Sequence, residues 1–273
     1  MAAISGDTLE GVSATSLWTL YYRATEAKRS DGVIRDPWAV TVFDSISYDY
    51  AKFGKPSQAH ALRAASFDAV THDYLTGHPK ASVVALAEGM QTSFWRLDAA
   101  GVADELTWYS IDLPPVMALR EQLLPHDDRI VPLAQSALDH SWMDRVDSSN
   151  GVLITAEGLL MYLDPGDALA LIRESAARFP GGRMMFDSVP PFFSRRTLKG
   201  HKLSDRYSPP PMPFAMSPDE GLALAGTAPG VRIARDIPYA RGRGIWKLLS
   251  SPLLDRGVLR RHRPSVTLLE FDQ

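Results

Sequence analysis

Gly89 and Asp112, 23 positions apart, carry the first chemical signal in this chain. Gly89 lies in the small-residue turn Ala87-Glu88-Gly89, which follows the apolar run starting at Ser82, and Asp112 closes the run from Thr107 to Ile111. A turn at the carboxyl end of a buried strand brings backbone close to a ligand. An acid roughly 20 residues further on, at the end of the next strand, can accept from both hydroxyls of a ribose. The spacing therefore points to a ribonucleoside-type cofactor. A dinucleotide site usually carries three glycines in this turn and here there is one, so the pyrophosphate cradle is largely missing. The alternative is that Gly89 merely caps a strand.

The elements that must position these groups can be read on either side. Before residue 81 the chain has helical character: Leu17, Leu20, Tyr21 and Ala24 share one face of a first helix, and Leu62, Ala65, Ala69 and Val70 share one face of another. Beyond it, strands are expected at Ser82–Ala87, Thr107–Ile111, Ile130–Leu133, Gly151–Ala156 and Arg183–Asp187. The helix between the last two is well marked, with Asp164 placed to cap it, Pro165 in its first turn, Leu169, Ile172 and Ala176 facing the core, and Gly181 beyond its end. Such alternation predicts an α/β fold, a doubly wound and mostly parallel sheet. Val231–Tyr239 and Val266–Phe271 read as two further strands that pair at a sheet edge. Ser188–Pro218 is rich in proline and carries Phe192, Phe193, Tyr207 and Phe214, and it reads as a structureless lid. One domain of 273 residues is expected, divided as a helical cap (1–80), a cofactor-binding core (81–187), the lid (188–218) and C-terminal strands (219–273).

Composition narrows the function. A net charge of −3 argues against nucleic acid or an anionic membrane as partner, and the basic run Arg260-Arg261-His262-Arg263 reads as a solvated face. With no cysteine there is neither a disulfide nor a thiolate nucleophile, and the seven histidines lack zinc-type spacing, so no metal site is expected. The N-terminal residues resemble no secretory signal and no apolar run spans a membrane, so a cytoplasmic protein acting on a small molecule is expected. The sequence admits a homodimer.

Four ordered segments resemble the leucine carboxyl methyltransferase-like enzymes, in particular the tetracenomycin-type O-methyltransferase branch: VSATSLWTLYYRATEAKRSDGVIRDPWA, VVALAEGMQTSFWRLD, WYSIDLPPVMALREQLLP and TAEGLLMYLDPGDALALIRESAARFPGGRMMFDSVP. The likeness covers about residues 10 to 190. It implies a class I methyltransferase with a seven-stranded Rossmann-like sheet, using S-adenosyl-L-methionine (SAM) and releasing S-adenosyl-L-homocysteine (SAH). It also implies roles: Arg63 on the methionine carboxylate, Ala87, Glu88 and Gly89 against the methionyl part, Asp112 on the ribose, Ser136 and Ala137 beside the adenine, and Glu157 near the sulfonium. The family usually has glycine at 87 and an acid at 91, whereas this chain has Ala87 and Gln91. Alanine demands an ordinary negative φ, and Glu88 is the group that could take over a lost contact with the methionine ammonium.

A hydroxyl acceptor needs a positioned base, whereas a carboxylate acceptor does not. His140, with Asp139 to orient it, and Glu26 on the first helix are the leading candidates, followed by His60; His140 could equally open a helix and Glu26 pair with a nearby arginine. Tyr22, Arg23, Tyr162, Phe192, Phe193 and Tyr207 are candidate acceptor contacts. Arg195, Arg196, Lys199, His201 and Arg206 among the lid aromatics favour a saccharide or glycosylated acceptor. Polyketide or carboxylate O-methylation, a nicotinamide-dependent oxidoreductase and a non-catalytic SAM-binding module are the alternatives.

Overall fold

A computed structural model describes residues 4–251, 254 and 257–273. Short strands β1 (Ile4–Ser5) and β2 (Ile46–Ser47) pair in parallel beside the first helices, α1 (Thr15–Ala27), α2 (Pro37–Ser45) and α3 (Ala59–Gly77). Then follow β3 (Ser82–Leu86), α4 (Ser93–Ala99), β4 (Thr107–Asp112), α5 (Pro114–Leu123), β5 (Ile130–Ala134), β6 (Val152–Ala156), α6 (Pro165–Arg178) and β7 (Arg183–Ser188). The chain closes with α7 (Pro191–Thr197), α8 (Pro218–Thr227), β8 (Val231–Ile237) and β9 (Ser265–Phe271).

Seven strands form one sheet in the order β5-β4-β3-β6-β7-β9-β8. β9 runs antiparallel to both its neighbours and the other pairings are parallel. β3, β6 and β9 are buried along their whole length, as expected of strands covered on both faces. One core layer gathers Val84, Ile111, Ile154 and Phe186 with α6, and the opposite layer gathers Val83, Trp108, Leu153 and Leu268 with α3. After β4 the chain moves outward to β5, then returns to the other side of β3 as β6. This reversal leaves a crevice at the carboxyl ends of β3, β4 and β6.

Side chains cap two of the helices, α2 and α8. Asp36 accepts from the amide of Ala39 ahead of α2, and Ser217 and Glu220 form a reciprocal capping box on α8. Asp164 precedes α6, yet its side chain makes no capping bond, and that helix starts on Pro165 alone. The buried stripe of α6 is Ala168, Leu171, Ile172, Ser175 and Ala176, with Leu169 only half-buried. On α3 the expected apolar face is displaced: Ala69 is exposed, while Arg63, Ser66 and Thr71 are buried with Leu62 and Phe67.

The segment 188–218 is not structureless. It holds α7 and a β-bridge between Ser204 and Tyr207, and it returns Met212, Phe214 and Met216 to the interior. Its cations point elsewhere: Arg195, Arg196 and Lys199 are exposed, and Arg206 pairs with Asp49 at 2.9 Å.

Candidate cofactor and acceptor site

The crevice opens into a cavity of about 840 Å³, near the top of the roughly 300–1,000 Å³ range of small-molecule sites. The carboxyl ends of five strands supply its floor. Ala87, Glu88 and Gly89 follow β3, Asp112 ends β4, Ser136 and Ala137 follow β5, Glu157 and Gly158 follow β6, and Asp187 lies at the end of β7. The N-terminal helices roof it with Ser16, Trp18, Tyr22, His60 and Arg63.

Gly89 and Ala87 both adopt left-handed backbone, with φ of +57° and +49°. The expectation of a negative φ at 87 was wrong. The turn geometry is kept and the alanine carries the strain, about 1–2 kcal/mol for a residue with a Cβ. A Cβ on Gly89 would sit 2.9 Å from Cβ of Ser16, so glycine is what lets α1 close on the turn.

The carboxylate of Asp112 is fixed by two amides, accepting from Gly89 at 2.6 Å and from Leu113 at 2.7 Å. Each oxygen keeps a further lone pair for a hydroxyl donor. Burial pushes its pKa upward against the pull of those amides. Leu113 and Leu138, both exposed, flank this end of the cavity and offer apolar walls to a flat ring.

At the other end Arg63 donates through Nε to Oε1 of Glu157 at 2.9 Å and through Nη1 to Oδ2 of Asp187 at 3.0 Å. Its Nη2 has no hydrogen-bond partner among the described residues and approaches Gly158, where a side chain would meet it at 3.2 Å. A guanidinium held in this way presents one edge to a carboxylate ligand. Gln91 donates to Oε1 of Glu157 at 2.6 Å, leaving Oε2 of Glu157 unbonded among the described residues. Glu88 cannot replace the missing acid at 91. It accepts from Trp108 Nε1 at 3.2 Å and from Ser110 Oγ, and it pairs with Arg120 at 2.8 Å.

Several candidates sit away from the cavity. His140 opens a short 3-10 turn and does not line it. Glu26 takes the amide of Val33 and a bidentate pair from Arg243, so it is a structural anion, though its partner is not the neighbouring arginine expected. Arg23 is fully buried, bonded to Asp36 and to the carbonyl of Met90, and touches no ligand space. Phe192 packs on His262 at a ring distance of 5.4 Å, outside the cavity, and Tyr207 lies behind its wall against Phe53. Tyr22, Tyr162 and Phe193 do line it, Tyr22 with its hydroxyl tied to the carbonyl of Phe53.

Two lining residues were undervalued in the sequence. Asp187 shows the same signal as Asp112, an acid at the carboxyl end of a strand. His60 stands on the roof with its ring 4.8 Å from that of Trp18 and 5.3 Å from that of Tyr22. Burial, with the cations Arg63 and Arg23 nearby, holds its pKa well below the usual histidine value.

The doubly wound, mostly parallel seven-stranded sheet with its antiparallel β9 is the fold of a class I SAM-dependent methyltransferase. The leucine carboxyl methyltransferase family model matches residues 16–176. The chain is 30% identical over 249 residues to the tetracenomycin polyketide synthesis O-methyltransferase TcmP of Streptomyces glaucescens, spanning 90% of this chain and 86% of that one. It is 26% identical over 202 residues to the SAM-dependent methyltransferase dpfgK of Gibberella zeae, 66% of this chain and 67% of the relative. Among solved structures, a DUF574-family protein from Streptomyces avermitilis superposes with a TM-score of 0.56 at 14% identity, covering 94% of this chain and 97% of that one. The methyltransferase SibL in its apo form gives 0.50 at 12%, over 79% and 57%; these two likenesses bear on the fold alone. The chain belongs to the leucine carboxyl methyltransferase family, and its cofactor is SAM.

Proposed function

We propose that the protein is an O-methyltransferase acting on an aromatic hydroxyl of an apolar ring system. The observation that carries this reading is the aromatic and thioether part of the cavity lining, Trp18, Phe53, Tyr162, Phe193 and Met212. Such a surface stacks on flat rings and offers few partners to a polyol. The saccharide reading rested on the basic side chains of 188–218, and none of them lines this space. The relative TcmP, named for polyketide synthesis, points the same way.

When bound, SAM supplies a methyl group made electrophilic by its sulfonium. The protein's own task is to hold and align. Arg63 would take the methionine carboxylate, Oε2 of Glu157 would face the sulfonium, and Asp112 would take the ribose. Leu113, Ala137 and Leu138 would sandwich the adenine. The aromatic wall excludes water from the acceptor and fixes its ring.

His60 takes the proton of the attacking hydroxyl. An imidazole kept neutral can accept a proton, but its depressed pKa makes it a weak base. That suits an aromatic hydroxyl, with a pKa near tyrosine's value of about 10, better than an alkyl or sugar hydroxyl, which is closer to water at about 15.7. The test is turnover of wild type and His60→Ala on hydroxylated polycyclic aromatics, with an expected loss of roughly 10²–10⁴ in kcat. A carboxylate acceptor is the second reading. Lys55 lines the cavity mouth with no ion pair among the described residues, and a carboxylate would not need His60. Unchanged kcat in His60→Ala would favour it.

A further inference from the structure

Around Arg63 the protein has placed two carboxylates against one guanidinium. Glu157 and Asp187 both bond it, within 2.9 and 3.0 Å, and all three side chains are nearly buried. This trio carries one net negative charge. SAM, with sulfonium, ammonium and carboxylate, carries one net positive charge, whereas SAH has lost the sulfonium and is neutral. The trio and the substrate cofactor therefore cancel, and the trio and the product cofactor do not. An uncompensated charge in so buried a place is costly and is relieved by neutralisation.

We propose that Glu157 discriminates SAM from SAH by charge, staying ionised in the SAM complex and taking up a proton from solvent in the SAH complex. This inference rests on the assignment of the methionine end of the cofactor to Arg63. Glu157 is the better placed of the two carboxylates. Asp187 uses one oxygen on Arg63 and the other on the amide of Gly158 at 2.6 Å, so both its oxygens have protein donors. Glu157 has both donors, Arg63 and Gln91, on Oε1, and its Oε2 is available to carry a proton. The charged and titratable groups facing Glu157 are Arg63 on α3, Asp187 on β7, Arg23 on α1, Arg96 on α4 and Tyr239 after β8. Burial raises its pKa and Asp187 adds to the rise, while the three arginines oppose it. No step beyond proton transfer between solvent and the carboxylate is involved. The consequence is functional: the product cofactor is held less tightly as pH rises, which favours turnover over product inhibition.

The experiment is calorimetric titration of the full chain with SAM and with SAH, in buffers of different ionisation enthalpy, across about pH 5 to 8. More protons should be bound in the SAH complex than in the SAM complex. The ratio of SAM to SAH association constants should rise with pH, by up to about tenfold per unit where a full proton is linked. Glu157→Gln should flatten that rise. Asp187→Asn, which removes the neighbouring negative charge, should move it to lower pH. Equal proton counts for the two ligands with a pH-independent ratio would overturn the proposal, as would a rise that persists unchanged in a folded Glu157→Gln. Binding of neither ligand would overturn the cofactor assignment and this inference with it.

Discussion

The amide of Gly89 donates to Oδ2 of Asp112 at 2.6 Å, so the glycine turn and the acid proposed to hold the ribose are one hydrogen-bonded unit. Asp112→Ala should therefore weaken SAM binding about ten- to a hundredfold, consistent with about 1.5–3 kcal/mol for bonds to a charged group. Asp112→Asn should lose less, because it keeps one acceptor oxygen. Calorimetry showing no loss in either folded variant would remove the ribose assignment.

Arg63→Ala strips two buried carboxylates of their partner, and breaking a buried pair in this way costs about 3–5 kcal/mol. Thermal denaturation should show the loss in the absence of ligand. SAM affinity should also fall, and the fall should shrink for methylthioadenosine, which has no carboxylate to bind. Equal losses for both ligands would mean that Arg63 serves the fold alone.

Gly89 and Gly181 both need a positive φ, at +57° and +74°, but only Gly89 faces an obstacle, Ser16 at 2.9 Å. Gly181→Ala should cost about 1–2 kcal/mol, the left-handed penalty. Gly89→Ala should cost more, by roughly 1–3 kcal/mol of steric strain, and it should loosen α1 from the site. Denaturant midpoints of the two variants, compared at equal m-values, provide the check.

The proton acceptor can be isolated by contrast. His60→Ala should lose turnover with SAM affinity nearly intact, while His140→Ala should change neither. Glu26→Gln should lower the melting temperature by weakening its pair with Arg243 and leave kcat close to wild type. Since His60 is depressed below its unfolded value, it stays neutral down through about pH 6.5. The kcat/KM profile should not bend at the ordinary histidine position. The same depression means that acid destabilises the fold: the unfolded chain binds this proton first, so stability falls as pH drops below the unfolded value. His60→Phe should lessen that fall.

The segment 188–218 has buried ends and a more exposed middle. Ser194 and Thr197 are buried, as are Met212, Phe214 and Met216. Hydrogen exchange in the cofactor complex should find both ends protected. Added acceptor should slow exchange mainly in residues 198–211, where Leu203 lines the cavity. Uniform protection without acceptor would make the whole segment static.

Much of the fold was legible because it rests on short-range patterns. β3 to β7 and the β8–β9 pair were found within one or two residues from apolar runs between turns. The Gly89–Asp112 spacing was legible for the same reason, since strand, helix and strand fix that distance along the chain. What was missed depends on partners far away in sequence. Arg63 is buried on α3 by carboxylates 94 and 124 positions later, which helical periodicity cannot register. Glu26 looked available because its partner, Arg243, lies 217 positions on. Ala87 adopts the backbone of a glycine because the turn imposes it, overriding the residue's own preference. The aromatic count of 188–218 was read correctly, but which aromatic faces inward is set by α7, whose existence the prolines concealed.

Transfer of a methyl group from SAM to an aromatic hydroxyl in the cavity lined by Trp18 and Phe193 can be read out by mass spectrometry. Purified protein would be incubated with SAM bearing a deuterated methyl group and a panel of hydroxylated polycyclic aromatics, aromatic carboxylic acids and sugars. The proposed function predicts a labelled methyl ether on an aromatic hydroxyl, formed in equal amount with SAH and lost in His60→Ala. Labelled sugar, or labelled ester alone, would contradict it.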